Sequence, residues 1–108
     1  MSSTIRIAQP SGILDGIAAS QLRQEVNTFI EDGADTILID LKDVTFMDSS
    51  GLGALVIILK AVRSAGKRLC LSSVSDQVKM LFELTSMDRI FEIFPDQEAF
   101  SKKTLGMG

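Results

Sequence analysis

The stretch of this 108-residue chain that says most about its architecture is residues 36–59, TILIDLKDVTFMDSSGLGALVIIL. Residues 36–41 are apolar enough to form a strand that is covered on both faces. A loop over residues 42–48 is predicted next, followed by a helix over about residues 50–65 that Gly66 closes. A strand that leads through a loop into a helix is the building unit of an α/β fold.

The residues before this stretch predict two short strands and a first helix. Residues 4–9 alternate between apolar and polar side chains, residues 10–12 are a turn signal, and residues 13–15 follow as a second strand. These two strands are predicted to form an N-terminal β-hairpin. The apolar spacing then changes to that of a helix, which starts at Ala18 and which Gly33 is placed to end.

The residues after Gly66 continue the alternation of strands and helices. Residues 67–73 predict a strand, and Ser75 or Asp76 is placed to cap the helix that follows it. Residues 89–94 predict a last short strand, and Pro95-Asp96 opens a final helix.

These elements predict a single α/β domain over residues 1–108. An N-terminal hairpin leads into alternating helices and strands, and the sheet is expected to be mixed, mostly parallel and covered by helices. The ordered core is expected to span about residues 4–104, with a frayed tail after Lys103. In such sheets the functional loops lie beyond the carboxyl ends of the strands, which draws attention to the turn at residues 47–53.

The composition excludes several kinds of function. The chain has no histidine, so a Ser-His-Asp triad, a Cys-His pair and a His-ligated metal are ruled out. Its single cysteine, Cys70, lies in an apolar run and is expected to be a small buried side chain. A net charge of −3 and a pI of about 4.8 argue against a nucleic-acid-binding surface. We therefore expect no metal and no cofactor.

Neither the N-terminal residues nor the apolar runs predict insertion into a membrane. Residues 1–6 lack the basic start and apolar stretch of a signal peptide. The longest apolar run, residues 52–59, is far short of the ~20 residues that span a bilayer. The expectation is a cytoplasmic protein that does not insert into membranes and is a monomer when free.

The turn Asp48-Ser49-Ser50-Gly51-Leu52-Gly53 admits more than one interpretation. Asp48 or Ser49 can be a plain N-cap, which is a common motif. The free N–H groups of a helix start can instead bind an anion. A dinucleotide fingerprint from Gly51 fails because position 56 is Val56, and no histidine is present to activate a serine nucleophile. A serine that another protein phosphorylates remains, because added charge at a helix start changes binding without breaking the fold.

The helix after the turn has an inward face and an outward face. The inward set is Leu55, Ile58, Leu59, Val62 and Ala65, and the outward set is Gly53, Lys60, Ser64 and Lys67. Val56 and Ile57 are apolar side chains near the outward set. They suggest a partner-binding patch of Gly53, Val56, Ile57 and Lys60, although single exposed apolar residues are also normal.

The turn closely resembles the signature of anti-sigma factor antagonists, the bacterial STAS-domain proteins. The resemblance extends over about residues 4–104. It is carried by Phe46-Met47-Asp48-Ser49-Ser50-Gly51-Leu52-Gly53, Leu14-Asp15, the third-helix region at residues 73–84, Phe91-Glu92-Ile93-Phe94 and Glu98-Ala99-Phe100. Relatives often carry Thr or Ser where this chain has Ala18, which puts the identity of the partner in question more than the fold.

The resemblance implies a mechanism and a set of partners. A serine kinase of the histidine-kinase-like ATPase fold, which is also the anti-sigma factor, is bound by the unphosphorylated protein. It phosphorylates the serine directly after the aspartate, here Ser49, and is then released. A metal-dependent PP2C-type phosphatase restores the free serine. The same match places Asp15, Asp48, Ser50 and Gly51 around the phosphosite, with Ser50 as a competing acceptor and Asp15 also interpretable as a helix cap.

Two other functions remain open on the sequence. Free-standing STAS domains also accompany membrane transport ATPases, where a constitutive docking subunit needs no phosphorylation. A small anion- or nucleotide-binding enzyme is suggested by the glycine turn, but the missing histidine and nucleotide motif argue against it.

Overall fold

Strands alternate with helices along the chain, as the periodicity predicts. The computed structural model describes residues 4–105. In chain order the elements are β1 (Ile5–Ala8), β2 (Ser11–Leu14), α1 (Gly16–Glu31), β3 (Thr36–Asp40), β4 (Asp43–Met47), α2 (Ser49–Ser64), β5 (Arg68–Ser72), α3 (Asp76–Leu84), a 3-10 turn (Met87–Arg89), β6 (Glu92–Phe94) and α4 (Gln97–Thr104).

The strands form two sheets. The larger sheet has the order β1-β3-β5-β6, and β2 and β4 make a second, two-stranded sheet. Every strand pair within residues 4–105 is parallel. The predicted α/β class with a mostly parallel sheet is therefore confirmed, while the expected mixture with an antiparallel pair is not found in the described part of the chain.

The predicted N-terminal hairpin is wrong. β1 pairs with β3 and β2 pairs with β4, so the two strands belong to different sheets. Pro10 lies between them, and proline has no N–H to extend a ladder and holds its φ fixed. The chain therefore passes from one sheet to the other at this point instead of folding back on itself.

The helices cover the larger sheet unequally. The main core lies between one face of the sheet and helices α1, α2 and α3. Its buried members include Leu22, Val26, Ile37, Ile39, Leu55, Ile58, Leu69, Leu71, Val78 and Phe82. On the opposite face α4 packs alone, where Leu38, Cys70, Phe94 and Phe100 form a smaller core. Successive side chains of β3 and β5 enter the two cores in alternation. Both faces of these strands are therefore covered, which explains why both are apolar.

The predicted loop at residues 42–48 is also wrong in part. Residues 43–47 form strand β4, in which Val44 and Met47 are buried while Thr45 and Phe46 are exposed. Gly12 pairs with Val44 and Ile13 with Phe46, so Thr45 is an extra residue of β4 at a β-bulge, and the buried positions of β4 do not follow a period of two. The charged start of the segment, Lys42-Asp43, further hides the strand in the sequence.

The remaining boundaries differ by small steps. Helix α1 begins at Gly16, two residues before the prediction, and α2 begins at Ser49. Ala65 is the exposed C-cap of α2 and not part of its inward face. The predicted strand at residues 89–94 is shorter, because a 3-10 turn occupies its start. Helix α4 continues to Thr104, one residue beyond Lys103, after which the frayed tail is predicted, and residues 106–108 of that tail lie outside the described residues.

The C-terminal helix is tied to the sheet by a network around Arg68. The Arg68 guanidinium donates two hydrogen bonds to Glu92, at 2.9 and 2.6 Å, and a third to the Thr104 hydroxyl at 3.0 Å. These bonds hold the pKa of the Glu92 carboxyl below its usual range. Cys70 lies beside them and is buried, as the sequence predicts, and burial raises the pKa of its thiol to about 12.

The substitution Glu92→Gln should lower the free energy of unfolding only at pH values above the pKa of the Glu92 carboxyl. A carboxyl whose folded-state pKa is lowered stabilises the fold at neutral pH and loses this contribution as pH falls through that pKa. Because Arg68 and Glu92 are each about one-third exposed, the expected loss is about 0.5–1 kcal/mol at neutral pH. Urea unfolding of both proteins across the acid range measures it. A stability difference that stays constant down to the acid limit would contradict the assignment.

Candidate functional site

The two-stranded sheet places two helix starts side by side. Leu14 and Met47 are paired at the ends of β2 and β4. The next residue in each case, Asp15 or Asp48, is the N-cap of the helix that follows. Parallel pairing of β2 and β4 therefore brings the first turns of α1 and α2 together at one edge of the molecule, which is the edge where sequence reasoning located the functional turn.

Both aspartates are helix caps. The Asp15 carboxylate accepts a hydrogen bond from the Ala18 N–H at 2.9 Å, and the Asp48 carboxylate accepts one from the Gly51 N–H at 2.8 Å. Each cap satisfies a backbone donor that would otherwise lack a partner and is favoured by the positive end of its helix. The interpretation of Asp15 as a cap is thus confirmed, and Ala18 supplies the N–H that it binds.

The two helix starts are in direct contact. A Cβ atom placed on Gly51 would lie 2.0 Å from the Leu14 carbonyl oxygen, which means that the backbone of α2 touches the end of β2. A Cβ atom on Gly16 would lie 3.6 Å from that of Ser50. The structure therefore brings together Asp15, Asp48, Ser50 and Gly51, the predicted surroundings of Ser49, in one small cluster.

Ser49 and Ser50 occupy the first two positions of α2 and both are exposed. No side-chain hydrogen bond is found for either hydroxyl within the described residues. A helix start with an exposed hydroxyl can accept a phosphate group, because the free N–H groups and the helix dipole stabilise negative charge there. Geometry alone leaves Ser50 as a competing acceptor.

The outward face of α2 continues from Ser49. At 100° per residue, Ser49, Gly53, Val56 and Lys60 follow one line along the helix, with Ile57 beside it. Gly53 and Lys60 are exposed and Ile57 is 47% exposed. Val56 differs from the prediction, since it is half-buried and packs against the main core. We call the exposed residues Gly53, Ile57 and Lys60 the α2 surface.

A second exposed apolar group was not singled out by sequence reasoning. Ile13 and Phe46 are cross-strand neighbours on the outer side of β2 and β4 and are 59% and 46% exposed. Ile17, in the first turn of α1, is also exposed. Residues 43–46 alternate in polarity, which would place Phe46 on the buried face with Val44, so the sequence carries no local signal for the exposure of Phe46.

Gln77 was quoted in the sequence only as part of the third-helix region. Its side-chain carbonyl accepts a hydrogen bond from the Met47 N–H at 2.9 Å, and its amide N–H donates to the Met47 carbonyl, also at 2.9 Å. Helix α3 is thereby fixed to the last residue before Asp48. A long-range contact of this kind leaves no local signal in the sequence.

A polar cleft of about 590 Å³ lies at the carboxyl edge of the larger sheet, lined in part by Asp40, Lys42, Asp96 and Glu98. The buried Asp40 carboxylate accepts hydrogen bonds from the Gln97 side chain at 2.7 Å and from the Lys42 N–H at 3.1 Å. Three carboxylates facing one lysine disfavour a phosphate group, so this cleft lends no support to a nucleotide-binding enzyme.

Residues 4–105 lack two kinds of feature. They contain no group of three or more histidine, cysteine, aspartate or glutamate side chains arranged to hold a metal ion. None of the helices in this range combines the length and apolar character that crossing a membrane requires.

Known proteins are similar to this chain in sequence and in fold. The model of the STAS domain family matches residues 2–99. The anti-sigma-B factor antagonist of Bacillus subtilis is 38% identical over 88 residues, which are 82% of this chain and 80% of that protein. The Staphylococcus aureus protein of the same name is 34% identical over 82 residues, 76% of each chain. The structure of the unphosphorylated anti-sigma factor antagonist SpoIIAA superposes with a TM-score of 0.75 at 24% identity, covering 96% of this chain and 92% of that one.

The fold and the serine turn together define a small α/β regulatory domain in which the starts of α1 and α2 lie side by side at one edge. The chain belongs to the STAS domain family, and its curated relatives are anti-sigma factor antagonists. The resemblance noted in the sequence is thereby confirmed. These matched relatives are regulatory proteins.

Proposed function

We propose that this protein is a phosphorylation-controlled anti-sigma factor antagonist whose phosphoacceptor is Ser49. The observation that carries the proposal is the exposed Ser49 at the first position of α2, directly after the capping Asp48, in a chain related to anti-sigma-B factor antagonists. SpoIIAA, which shares the fold, is known in unphosphorylated and phosphorylated forms.

This chain contributes only the acceptor group to the phosphoryl transfer. The Ser49 hydroxyl oxygen forms a bond to the γ-phosphorus of ATP, the bond from that phosphorus to ADP breaks, and the hydroxyl proton passes to a base of the kinase. The kinase supplies the catalytic groups, and this chain supplies only the acceptor. The product carries about −1.5 to −2 additional charge at the start of α2, where the helix dipole makes the charge tolerable to the fold.

The partners follow from the same proposal. The unphosphorylated protein binds and sequesters a serine kinase of the histidine-kinase-like ATPase fold, which is the anti-sigma factor, and phosphorylation releases it. A PP2C-type phosphatase regenerates free Ser49, and its metal belongs to the phosphatase. We place this exchange in the cytoplasm, with this chain as a monomer when it is free and without bound nucleic acid.

The α2 surface is the proposed contact for the kinase. It begins one turn after Ser49, and its apolar Ile57 stands beside the cation of Lys60. A kinase seated there also covers Ser49. Charge added to a desolvated contact costs binding energy, so phosphorylation weakens this association while leaving the domain folded.

Phosphorylation in native lysate tests the proposal. The purified protein is incubated with lysate of its source organism and ATP, and the phosphate is located by peptide mass spectrometry. Ser49→Ala should abolish labelling and Ser50→Ala should retain it. Phosphate at position 50 in the unaltered protein would assign the acceptor to Ser50. No phosphate at either serine, together with a transport ATPase bound constitutively, would favour the docking-subunit function.

Ile57→Glu should weaken binding of the kinase at least about tenfold, because it places a charge in an apolar contact. The melting temperature should change little, since Ile57 is half-exposed. Leu84→Glu on α3 is the matched control, as it makes the same change at a more exposed apolar side chain. Calorimetric titration with the purified kinase measures both. Equal affinities for the two variants would remove the α2 surface from the contact.

A further inference from the structure

The segment between β4 and α2 is held at both of its ends. On the far side, the Asp48 carboxylate binds the Gly51 N–H, the Asp48 carbonyl accepts from the Leu52 N–H at 3.0 Å, and Gly51 packs on Leu14. On the near side, Gln77 takes up both backbone polar groups of Met47. Ser49 lies between these two anchors.

The Gln77 side-chain amide makes the two hydrogen bonds to Met47 that a neighbouring strand would make. The N–H and the carbonyl of one strand residue point to the same side, where a partner strand in a sheet would bind both. At Met47 that side faces α3, and the primary amide is the side chain that presents one acceptor and one donor in the required arrangement. Met47 is fully buried, so leaving its backbone groups unpaired would be costly.

The Met47 carbonyl belongs to the peptide group that joins Met47 to Asp48. With this peptide fixed, Asp48 keeps the extended conformation, φ −99° and ψ 177°, from which its side chain reaches the Gly51 N–H. If the peptide were free to rotate, the cap and the first bond of α2 would loosen together. The conformation of the Ser49 turn therefore depends on a residue of α3 that lies 30 positions after Met47.

We propose that Gln77 is a positioning residue for phosphorylation of Ser49: its bonds to Met47 hold the turn in the conformation in which a kinase receives the serine. This inference rests on the proposed function for the identity of the reaction. It adds that α3, outside the turn and the α2 surface, sets how well Ser49 is presented. Orientation of a reacting group contributes to rate more than to affinity when the main contact lies elsewhere.

Two variants separate the bonds. Gln77→Met removes donor and acceptor with little change in side-chain length, whereas Gln77→Glu keeps an acceptor for the Met47 N–H and loses the donor to the Met47 carbonyl. Gln24→Met, on the exposed side of α1, is the control for an added methionine. Amide hydrogen exchange measured by NMR on the free protein reports each backbone bond without any partner.

The expected exchange pattern is specific. In Gln77→Met, exchange at Met47, Gly51 and Leu52 should speed up about tenfold or more, as expected for loss of a part-buried hydrogen bond. In Gln77→Glu, Met47 should stay protected while Gly51 and Leu52 speed up. Ile39 in the main sheet should be unchanged in all variants, which shows that the domain remains folded. Unchanged exchange at Gly51 and Leu52 would overturn the inference.

The second measurement is phosphorylation by the kinase purified on the Ser49→Ala protein. Both Gln77 variants should lower kcat about tenfold while KM changes less than about threefold, and Gln24→Met should match the unaltered protein. Unchanged kcat would make Gln77 a structural tie only and overturn its positioning role. Absence of phosphate on Ser49 of the unaltered protein would reject the proposed function instead, with the exchange data still deciding whether Gln77 holds the turn.

Discussion

The substitution Gly51→Ala is expected to cost at least about 3 kcal/mol of unfolding free energy or to prevent folding, because it adds a methyl group where there is no space. The new Cβ would lie 2.0 Å from the Leu14 carbonyl oxygen and 3.3 Å from Cγ of Met47. The clashing atom belongs to the backbone of β2, which is paired with β4 and cannot move away like the end of a side chain. To relieve the overlap, α2 would have to move away from the end of β2.

Gly53→Ala is the control, two residues further along the same helix. A Cβ at Gly53 meets nothing within 4 Å, and the residue is exposed. Alanine is the better helix former by about 0.8–1.0 kcal/mol, so this variant should be slightly more stable than the unaltered protein. Urea unfolding of both variants gives the comparison. Equal stabilities would mean that the start of α2 does not touch the end of β2 as closely as the structure indicates.

The opposite signs expected at these two glycines show what the sequence does and does not reveal. Both glycines are visible in the turn Ser50-Gly51-Leu52-Gly53, and the local sequence does not distinguish them. Only the packing distinguishes them, since Gly51 touches β2 and Gly53 faces solvent. The contact partner of Gly51 lies 37 residues earlier in the chain, and no local pattern records it.

The same distinction separates the correct parts of the predicted fold from the wrong ones. Helices α1 and α2 were predictable because each buries a broad apolar face at helical spacing, and strands β3 and β5 because burial on both faces makes them apolar runs. The pairing of β1 and β2 was not predictable from their short patterns, since a hairpin and two separate parallel pairings bury similar side chains. Strand β4 was hidden because it pairs through a bulge and exposes Phe46.

At the site, residue types were predictable and their arrangement was not. Asp48 and Asp15 were site candidates through the resemblance to the family, and aspartate before a helix was also interpretable as a common N-cap. Their position in one cluster depends on the parallel register of β2 with β4, in which Leu14 lies opposite Met47. The role of Gln77 depends on α3 crossing the end of β4, which is a tertiary contact.

Ser49→Asp and Ser49→Ala should have nearly the same stability but very different affinities for the kinase. Both proteins should melt within about 3 °C of the unaltered protein. The carboxylate introduced in Ser49→Asp stands at the positive end of α2, which offsets its repulsion from the capping Asp48. A helix start that is capped by Asp48 does not need the Ser49 hydroxyl, so alanine is tolerated as well.

Kinase binding should differ on the order of 100-fold between the two variants. Ser49→Ala cannot be phosphorylated and should hold the kinase permanently, whereas Ser49→Asp adds charge to a contact that binding desolvates. Matched affinity captures from native lysate, followed by titration with the recovered kinase, measure the difference. A large loss of thermal stability in Ser49→Asp would mean that the helix start does not tolerate charge. A partner held equally by both variants would reduce Ser49 to a structural residue, and the protein would then be a constitutive docking subunit.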